Sequence, residues 1–270
     1  MISAQAKTKS VAATLKSVPC RNRDPLESGA KNKPLSNAAP AERRVAAMVE
    51  LKGPLCYILD FDDIYQYAYQ TAMKVRDSGW RPQAIVGIAR GGWVHARIEC
   101  DLLGVKELYS IKVDHWGVTA TKDGKARISC PLSGDVKGKK VLVVDDITDT
   151  GESLTLAVNH VKEQGRASEV KSATLMHIAG SKFVPDYFGV EVAWAWEIWP
   201  WNFYEDLTAL ITKIFQGEKI KEMSTLELKK YLREYNNVVI SDEQLSKVKA
   251  HMGFLGLIQY PLDKTWRMMK

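Results

Sequence analysis

The sequence predicts an α/β protein built on a doubly wound, mainly parallel sheet with a C-terminal helical appendage. Three observations carry that prediction. From residue 55 onward, short runs of β-branched residues alternate with stretches whose apolar residues recur at helical spacing. Those runs are near-continuous rather than alternating, as in strands covered on both faces. The most pronounced of them, Val141-Leu-Val-Val, ends in two carboxylates and a Thr-Gly turn that opens an amphipathic run from Leu154 to Val161. That is a strand, an acidic tip, a loop and a helix in succession.

In chain order, residues 1–47 are rich in Ala, Ser, Lys, Asn and Pro, hold no aromatic residue and have no acidic residue before Asp24. They read as a disordered basic arm. The same composition suits an organellar transit peptide, or a start upstream of the true one at Met48. Residues 48–216 read as the α/β domain. Asp62 or Asp63 caps a helix with Ile64, Tyr67, Ala68, Ala72 and Val75 on one stripe, and Gly79 stops it. A strand follows at 84–89, a helix at 94–103 closed by Gly104, and a strand at 108–113. The run at 140–145, its helix, and a strand at 170–177 continue the alternation.

The composition changes again after Gly217. Residues 225–235 have a helical period through Leu226, Leu228, Leu232 and Tyr235, and Ser241 with Gln244 forms a capping box for a second helix through Met252. Residues 257–269, interrupted by Pro261 and Asp263, read as a short hairpin. Residues 217–270 are therefore expected to form a small helical module. Two helices and a basic hairpin resemble a winged helix; a plain appendage that packs on the domain or mediates oligomerisation is the simpler expectation.

Composition sets the outer limits. The chain has 270 residues, 46% of them hydrophobic, and no run approaches the ~20 apolar residues of a membrane span. Cys20, Cys56, Cys100 and Cys130 lie far apart with no CxxC pairing, so neither a zinc site nor a disulfide framework is indicated and a reducing cytoplasm is expected. A net charge of +6 does not by itself make a nucleic-acid binder.

The chemistry concentrates at strand ends, where ligands bind in such sheets. Thr150, Gly151 and Ser153 can aim amides and hydroxyls at one phosphate, with the helix dipole behind them. Asp145 and Asp146 are wrong for a phosphate but right for sugar hydroxyls and a divalent metal. In Gly87-Ile-Ala-Arg-Gly-Gly92, Gly91 and Gly92 let the backbone approach an anion, and Arg90 can fork onto its oxygens. Residues 115–128 are polar, with Lys122, Lys125 and Arg127, and suit a mobile flap. Residues 193–202 hold Trp194, Trp196, Trp199 and Trp201, a cluster that can pack a core or stack on a base.

The order apolar strand, Asp145, Asp146, two residues, Asp149, Thr150, Gly151, one residue, Ser153 matches throughout the signature of type I phosphoribosyltransferases, and the resemblance covers about residues 55–210. It implies phosphoribosyl pyrophosphate and a nucleobase as substrates, Mg²⁺ as cofactor, and a homo-oligomer. By the same resemblance Arg90, Gly91 and Gly92 bind pyrophosphate, and Thr148, Thr150, Gly151, Glu152 and Ser153 hold the 5′-phosphate, Glu152 through its backbone. Asp145 and Asp146 hold the ribose hydroxyls and the metal, partly through substrate. Asp149 faces the base as general base, and the flap becomes a catalytic loop.

The tryptophan segment resembles the purine-binding hood of bacterial xanthine-guanine phosphoribosyltransferases, placed at 178–206. Trp196 would stack on the purine and the backbone at Glu197 and Ile198 would face its edge, with the other three tryptophans structural. Two departures leave the base open. His177 stands where many 6-oxopurine enzymes have Lys, and Asn202 stands where the hood has an acidic residue. Hypoxanthine, guanine, xanthine and adenine all remain, with 6-oxopurines favoured and purine salvage the expected role. The rival expectation is a transcriptional regulator that senses phosphoribosyl pyrophosphate and binds DNA through 217–270. A third is a pyrimidine-salvage enzyme of the same superfamily.

Overall fold

A computed structural model describes residues 51–115, 126–132, 134–259 and 265–269. The expected arm, most of the expected flap, and the hairpin turn with Pro261 and Asp263 lie outside the described residues. The main sheet has six strands in the order β4-β3-β2-β5-β6-β7. These are β2 (Ala84–Ala89), β3 (Glu107–His115), β4 (Ala126–Cys130), β5 (Lys140–Thr148), β6 (Glu169–Ile178) and β7 (Tyr187–Val192). All pairings are parallel except β3 with β4, which places one antiparallel strand at the edge.

The helices wind it on both faces, and β5 shows how. Val141 and Val143 pack with Leu154, Ala157 and Val161 of α3 (Glu152–Glu163). Leu142 and Val144 pack instead with Ala96 and Cys100 of α2 (Gly92–Leu103) and with Val75 of α1 (Phe61–Asp77). Successive side chains go to opposite faces, which is why the run carries no polar residue until its tip.

One expectation is corrected at α1. The cap is Asp60, one residue before the helix, not Asp62 or Asp63. Its carboxylate accepts from the Asp63 N–H at 2.9 Å, and the Asp63 carboxylate accepts from the Asp60 N–H at 3.1 Å, so Asp63 is the far corner of the box. Gly79 follows the last turn with φ +71°, as expected of a helix stop.

β2 turns into α2 and crosses to β3 on one side, while β5 turns into α3 and crosses to β6 on the other. The strand order therefore reverses between β2 and β5, and the loops at their carboxyl ends face one crevice. Outside the main sheet, β1 (Cys56–Ile58) pairs in parallel with β8 (Trp196–Ile198).

The helix α4 (Phe203–Glu218) is not among the expected elements, although Leu207, Leu210, Ile211, Ile214 and Phe215 recur on one buried stripe. It runs across residue 216. It joins β9 (Glu222–Ser224), α5 (Thr225–Asn236), α6 (Asp242–Phe254), β10 (Ile258–Gln259) and β11 (Thr265–Met268), whose strands form an antiparallel sheet in the order β10-β11-β9. The expected box is present at α6, with Ser241 as cap and Gln244 as its partner. One apolar cluster unites Cys56 and Ile198 with α4, α5, α6 and Trp266. Among the described residues no helix is long and apolar enough to cross a membrane.

Candidate active site

The acidic tip lies at the end of β5 and is covered by the loop after β2. The side chains of Asp145 and Asp146 are half-buried. Burial, and then repulsion from Asp146, push the Asp145 carboxyl well above the usual carboxylate range; burial also raises Asp146. Asp145 Oδ1 accepts from the Asp146 N–H at 3.0 Å, and Asp146 Oδ1 accepts from the Ile147 N–H at 2.8 Å.

Gly91 and Gly92 are where the loop presses on this tip. A Cβ on Gly91 would stand 1.8 Å from Asp146 Oδ2, and one on Gly92 would stand 2.5 Å from the Val144 carbonyl oxygen and 3.0 Å from Asp145 Cα. Their small size thus serves the packing of the loop against the carboxylates, beyond any approach to an anion. Two different outcomes are expected. Gly91→Ala displaces a side-chain carboxylate and costs activity with little change in thermal stability. Gly92→Ala meets backbone and destabilises by about 1–3 kcal/mol. Parallel measurement of turnover and denaturant midpoint checks both; equal destabilisation would contradict the distinction.

Across the crevice, Gly151 (φ +82°) caps α3, a conformation that favours glycine, and an added Cβ would stand 2.3 Å from Phe183 Cβ. The loop before it presents Asp149 and Thr150 to solvent. Thr150 Oγ1 accepts from the Glu152 N–H at 3.4 Å, and the Gly151 carbonyl accepts from the Thr155 N–H and hydroxyl at 2.9 and 2.8 Å. The positive end of the α3 dipole lies at this loop. Glu152 is exposed and Ser153 half-buried on its first turn. Thr148 is placed differently: it is 1% exposed, and its hydroxyl bonds to Thr174 Oγ1 at 3.3 Å inside the sheet.

Arg90 stands at the rim, where Nη2 reaches both oxygens of Glu205 on α4 at 3.1 and 3.0 Å. Both side chains are exposed, so this pair is weak and open to exchange with a stronger anion. No local pattern in the sequence links residues 115 positions apart.

The tryptophans divide unevenly. Trp199 is buried and stacks on Trp201 at 5.0 Å and 11°, consistent with a structural pair, whereas Trp194 is exposed. Trp196 is half-buried and packs on the cluster around α4 to α6. Glu197 and Ile198 are buried in β8, and the Ile198 carbonyl accepts from the Leu59 N–H at 3.0 Å. Asn202 caps α4 without a side-chain bond. His177, at the end of β6 beside Thr148, is buried with its ring 5.1 Å from that of Phe188. Its Nδ1 has no hydrogen-bond partner among the described residues.

Asp206 is a third raised carboxyl, pushed to about 6 by burial although Trp196 lowers it; burial and then Asp206 in turn push the Cys56 thiol to about 12. The folded value of Asp206 lies above the unfolded one, so folding stability falls as pH rises from about 4 through about 6. Asp206→Asn keeps the side chain's shape and an acceptor oxygen and removes the buried charge. It is expected to stabilise the fold by ~2 kcal/mol at pH 7.5, with the gap closing towards pH 4. Thermal unfolding at the two pH values checks it, and a variant less stable at pH 7.5 would refute it.

The switch point of the doubly wound sheet thus brings together an acidic pair, a glycine loop with an arginine, and a glycine-capped helix start. The sequence profile of the phosphoribosyl transferase domain matches residues 58–207. The chain belongs to this family, the type I phosphoribosyltransferases. It is 31% identical over 117 residues to the bifunctional protein PyrR of Ralstonia nicotianae, covering 42% of this chain and 67% of that protein. Over 85 residues it is 33% identical to the ribose-phosphate pyrophosphokinase of Corynebacterium ammoniagenes, spanning 25% of this chain and about a quarter (26%) of that protein. Among solved structures, the purine phosphoribosyltransferase of Pyrococcus horikoshii superposes with a TM-score of 0.47 at 33% identity, covering 54% of this chain and 93% of that one.

Proposed function

We propose that this chain transfers phosphoribose from phosphoribosyl pyrophosphate to a purine, with 6-oxopurines favoured and Mg²⁺ required, and releases pyrophosphate. The observation that carries the reading is the meeting, at one switch point, of the Arg90-Gly91-Gly92 loop, the Asp145-Asp146 tip and the α3 start at Gly151. The purine preference rests on the tryptophan segment, while His177, whose Nδ1 is one bond short among the described residues, leaves the particular base open.

The carboxylates fit magnesium held mainly by substrate. Mg²⁺ takes one or two carboxylates beside phosphate oxygens and water, and no group of three or more potential ligands occurs among the described residues. When bound through Asp145 and Asp146, Mg²⁺ supplies charge neutralisation for the departing pyrophosphate. Asp145 and Asp146 hold the ribose hydroxyls and face the positive charge that develops at the anomeric carbon. Arg90 exchanges Glu205 for pyrophosphate. Thr150 to Ser153 anchor the 5′-phosphate, and Asp149 takes the ring-nitrogen proton of the base.

A pyrophosphate-release assay with hypoxanthine, guanine, xanthine, adenine, uracil and orotate, each with Mg²⁺ or chelator, tests this. Turnover with a purine that stops on chelation supports it. Turnover with uracil or orotate alone moves the protein to pyrimidine salvage, and none with any base overturns the reading.

One observation favours a second reading. The connectivity α4, β9, α5, α6, β10, β11 with strand order β10-β11-β9 is that of a winged helix, which supports a regulator that binds DNA. Against it, α6, the helix that would enter a groove, begins with Asp242 and Glu243, both exposed. DNA binding that weakens with salt and with phosphoribosyl pyrophosphate, in the absence of turnover, would reverse the ranking.

A further inference from the structure

The scheme above leaves one buried polar pair on α2 without a task. His95 and Glu99 are one helical turn apart, 2.9 Å from Nε2 to Oε1, and both side chains are 0% exposed. Such a pair is weak evidence for stability, because apolar residues of similar volume often serve the fold as well or better. Glu99 Oε2 even lacks a partner among the described residues. The other end of the ring shows what the pair does. His95 Nδ1 lies 2.8 Å from the Asp145 carbonyl oxygen, which can only accept, so Nδ1 is the donor.

On the β2 side the strand ladder gives out before that carbonyl, while β5 stays paired with β6 as far as Thr148 and His177. The β2–β5 register ends at Gly87 and Val144, and His95 supplies a partner one residue further on. The same peptide unit is held at its other end, since the Asp146 N–H donates to Asp145 Oδ1 at 3.0 Å. With O and N–H of one peptide both fixed, the plane between Asp145 and Asp146 is fixed. So are the directions in which the two carboxylates leave the backbone. We infer that His95, oriented from behind by Glu99, is a positioning residue for the acidic tip. This rests on the transferase reading for its purpose and on the hydrogen bonds for its geometry.

The test compares two double variants with the parent, His95→Leu/Glu99→Leu and His95→Asn/Glu99→Leu. Asparagine places an amide N–H near the Nδ1 position and can serve the Asp145 carbonyl; leucine cannot. Thermal midpoint, kcat, KM, and calorimetric affinity for phosphoribosyl pyrophosphate with Mg²⁺ are measured on each. The double-leucine variant is expected to fold with an unchanged or higher midpoint, yet to lose about 10-fold or more in affinity and turnover, as when partners that orient metal-binding groups are removed. The asparagine variant recovers most of that loss.

Parent-like affinity and turnover in the double-leucine variant overturn the inference, as does an equal loss in both variants. If the double-leucine variant does not fold, His95→Asn is set against His95→Gln, whose amide reaches the Nε2 position and serves Glu99 alone. Retention by Asn and loss by Gln supports the role, and the same affinity in both refutes it. A parent that binds phosphoribosyl pyrophosphate without turnover sinks the transferase reading alone, because affinity still separates the variants. A parent that does not bind it sinks both.

Discussion

Asp149→Asn is expected to lower turnover about 100-fold, the scale of a lost general base, while affinity for phosphoribosyl pyrophosphate stays close to that of the parent. The two quantities separate because different groups control them. The 5′-phosphate is held by the helix start that Gly151 opens, where amides and dipole act, and Asp149 stands just before it with an exposed side chain. Asparagine keeps the shape and a hydrogen-bonding oxygen but cannot take a proton at neutral pH. The loss should therefore fall on kcat, as for an interaction made mainly in the transition state. Steady-state kinetics with the preferred purine, beside calorimetric titration of phosphoribosyl pyrophosphate, measures both. Unchanged turnover removes Asp149 from the base role.

Asp145→Asn is expected to abolish most activity, by about 100-fold or more, and to make the protein more stable at alkaline pH. The carboxyl is raised by burial and by its neighbour Asp146. Its folded value lies above the unfolded one, so below about pH 4 neither state bears the charge and no penalty exists. As pH rises towards the raised folded value, the unfolded chain ionises while the folded one resists, and stability is lost. The amide of the variant carries no charge, and its side-chain oxygen can still accept from the Asp146 N–H. The variant should thus melt above the parent at pH 8 and with it near pH 4. A parent more stable than the variant at pH 8 would show that the folded carboxylate is compensated. The site is held at the expense of stability, as functional charge clusters commonly are.

Much of this is legible from local chemistry. The strand expected at 84–89 matches to the residue, and the run at 140–145 is the first two thirds of β5, because an apolar β-branched run has few alternatives. The signature residues Asp145 to Ser153 are legible for the same reason, each turn and cap being chosen by its own few neighbours. α4 escapes the sequence reading despite a clear stripe, since the tryptophans before it and Gly217 near its end mark boundaries that the helix ignores. The cap of α1 shifts because Asp60, Asp62 and Asp63 are equivalent by type, and only backbone geometry at Asp60 selects the one outside the helix.

The site's internal contacts are not legible. His95 and Glu99 show helical spacing in the sequence, yet their target, the Asp145 carbonyl, is 50 residues away. Gly91 and Gly92 advertise a close approach without naming what approaches, and the answer is the acidic tip itself. Trp196 is placed by likeness to a hood, and its packing on the cluster around α4 depends on a helix that the sequence reading does not include.

Periodicity, capping and turn chemistry act over a few residues, so the elements, the parallel sheet and the phosphate loop follow from residue order alone. Which loops share a crevice, which carboxylates lose their water and which side chain holds a peptide plane follow from strand order. Here that order puts β2 beside β5, although more than 50 residues separate their paired positions, Ala84 and Val141. Pairing at that distance is settled by the packing of the whole sheet, and no window of sequence contains it.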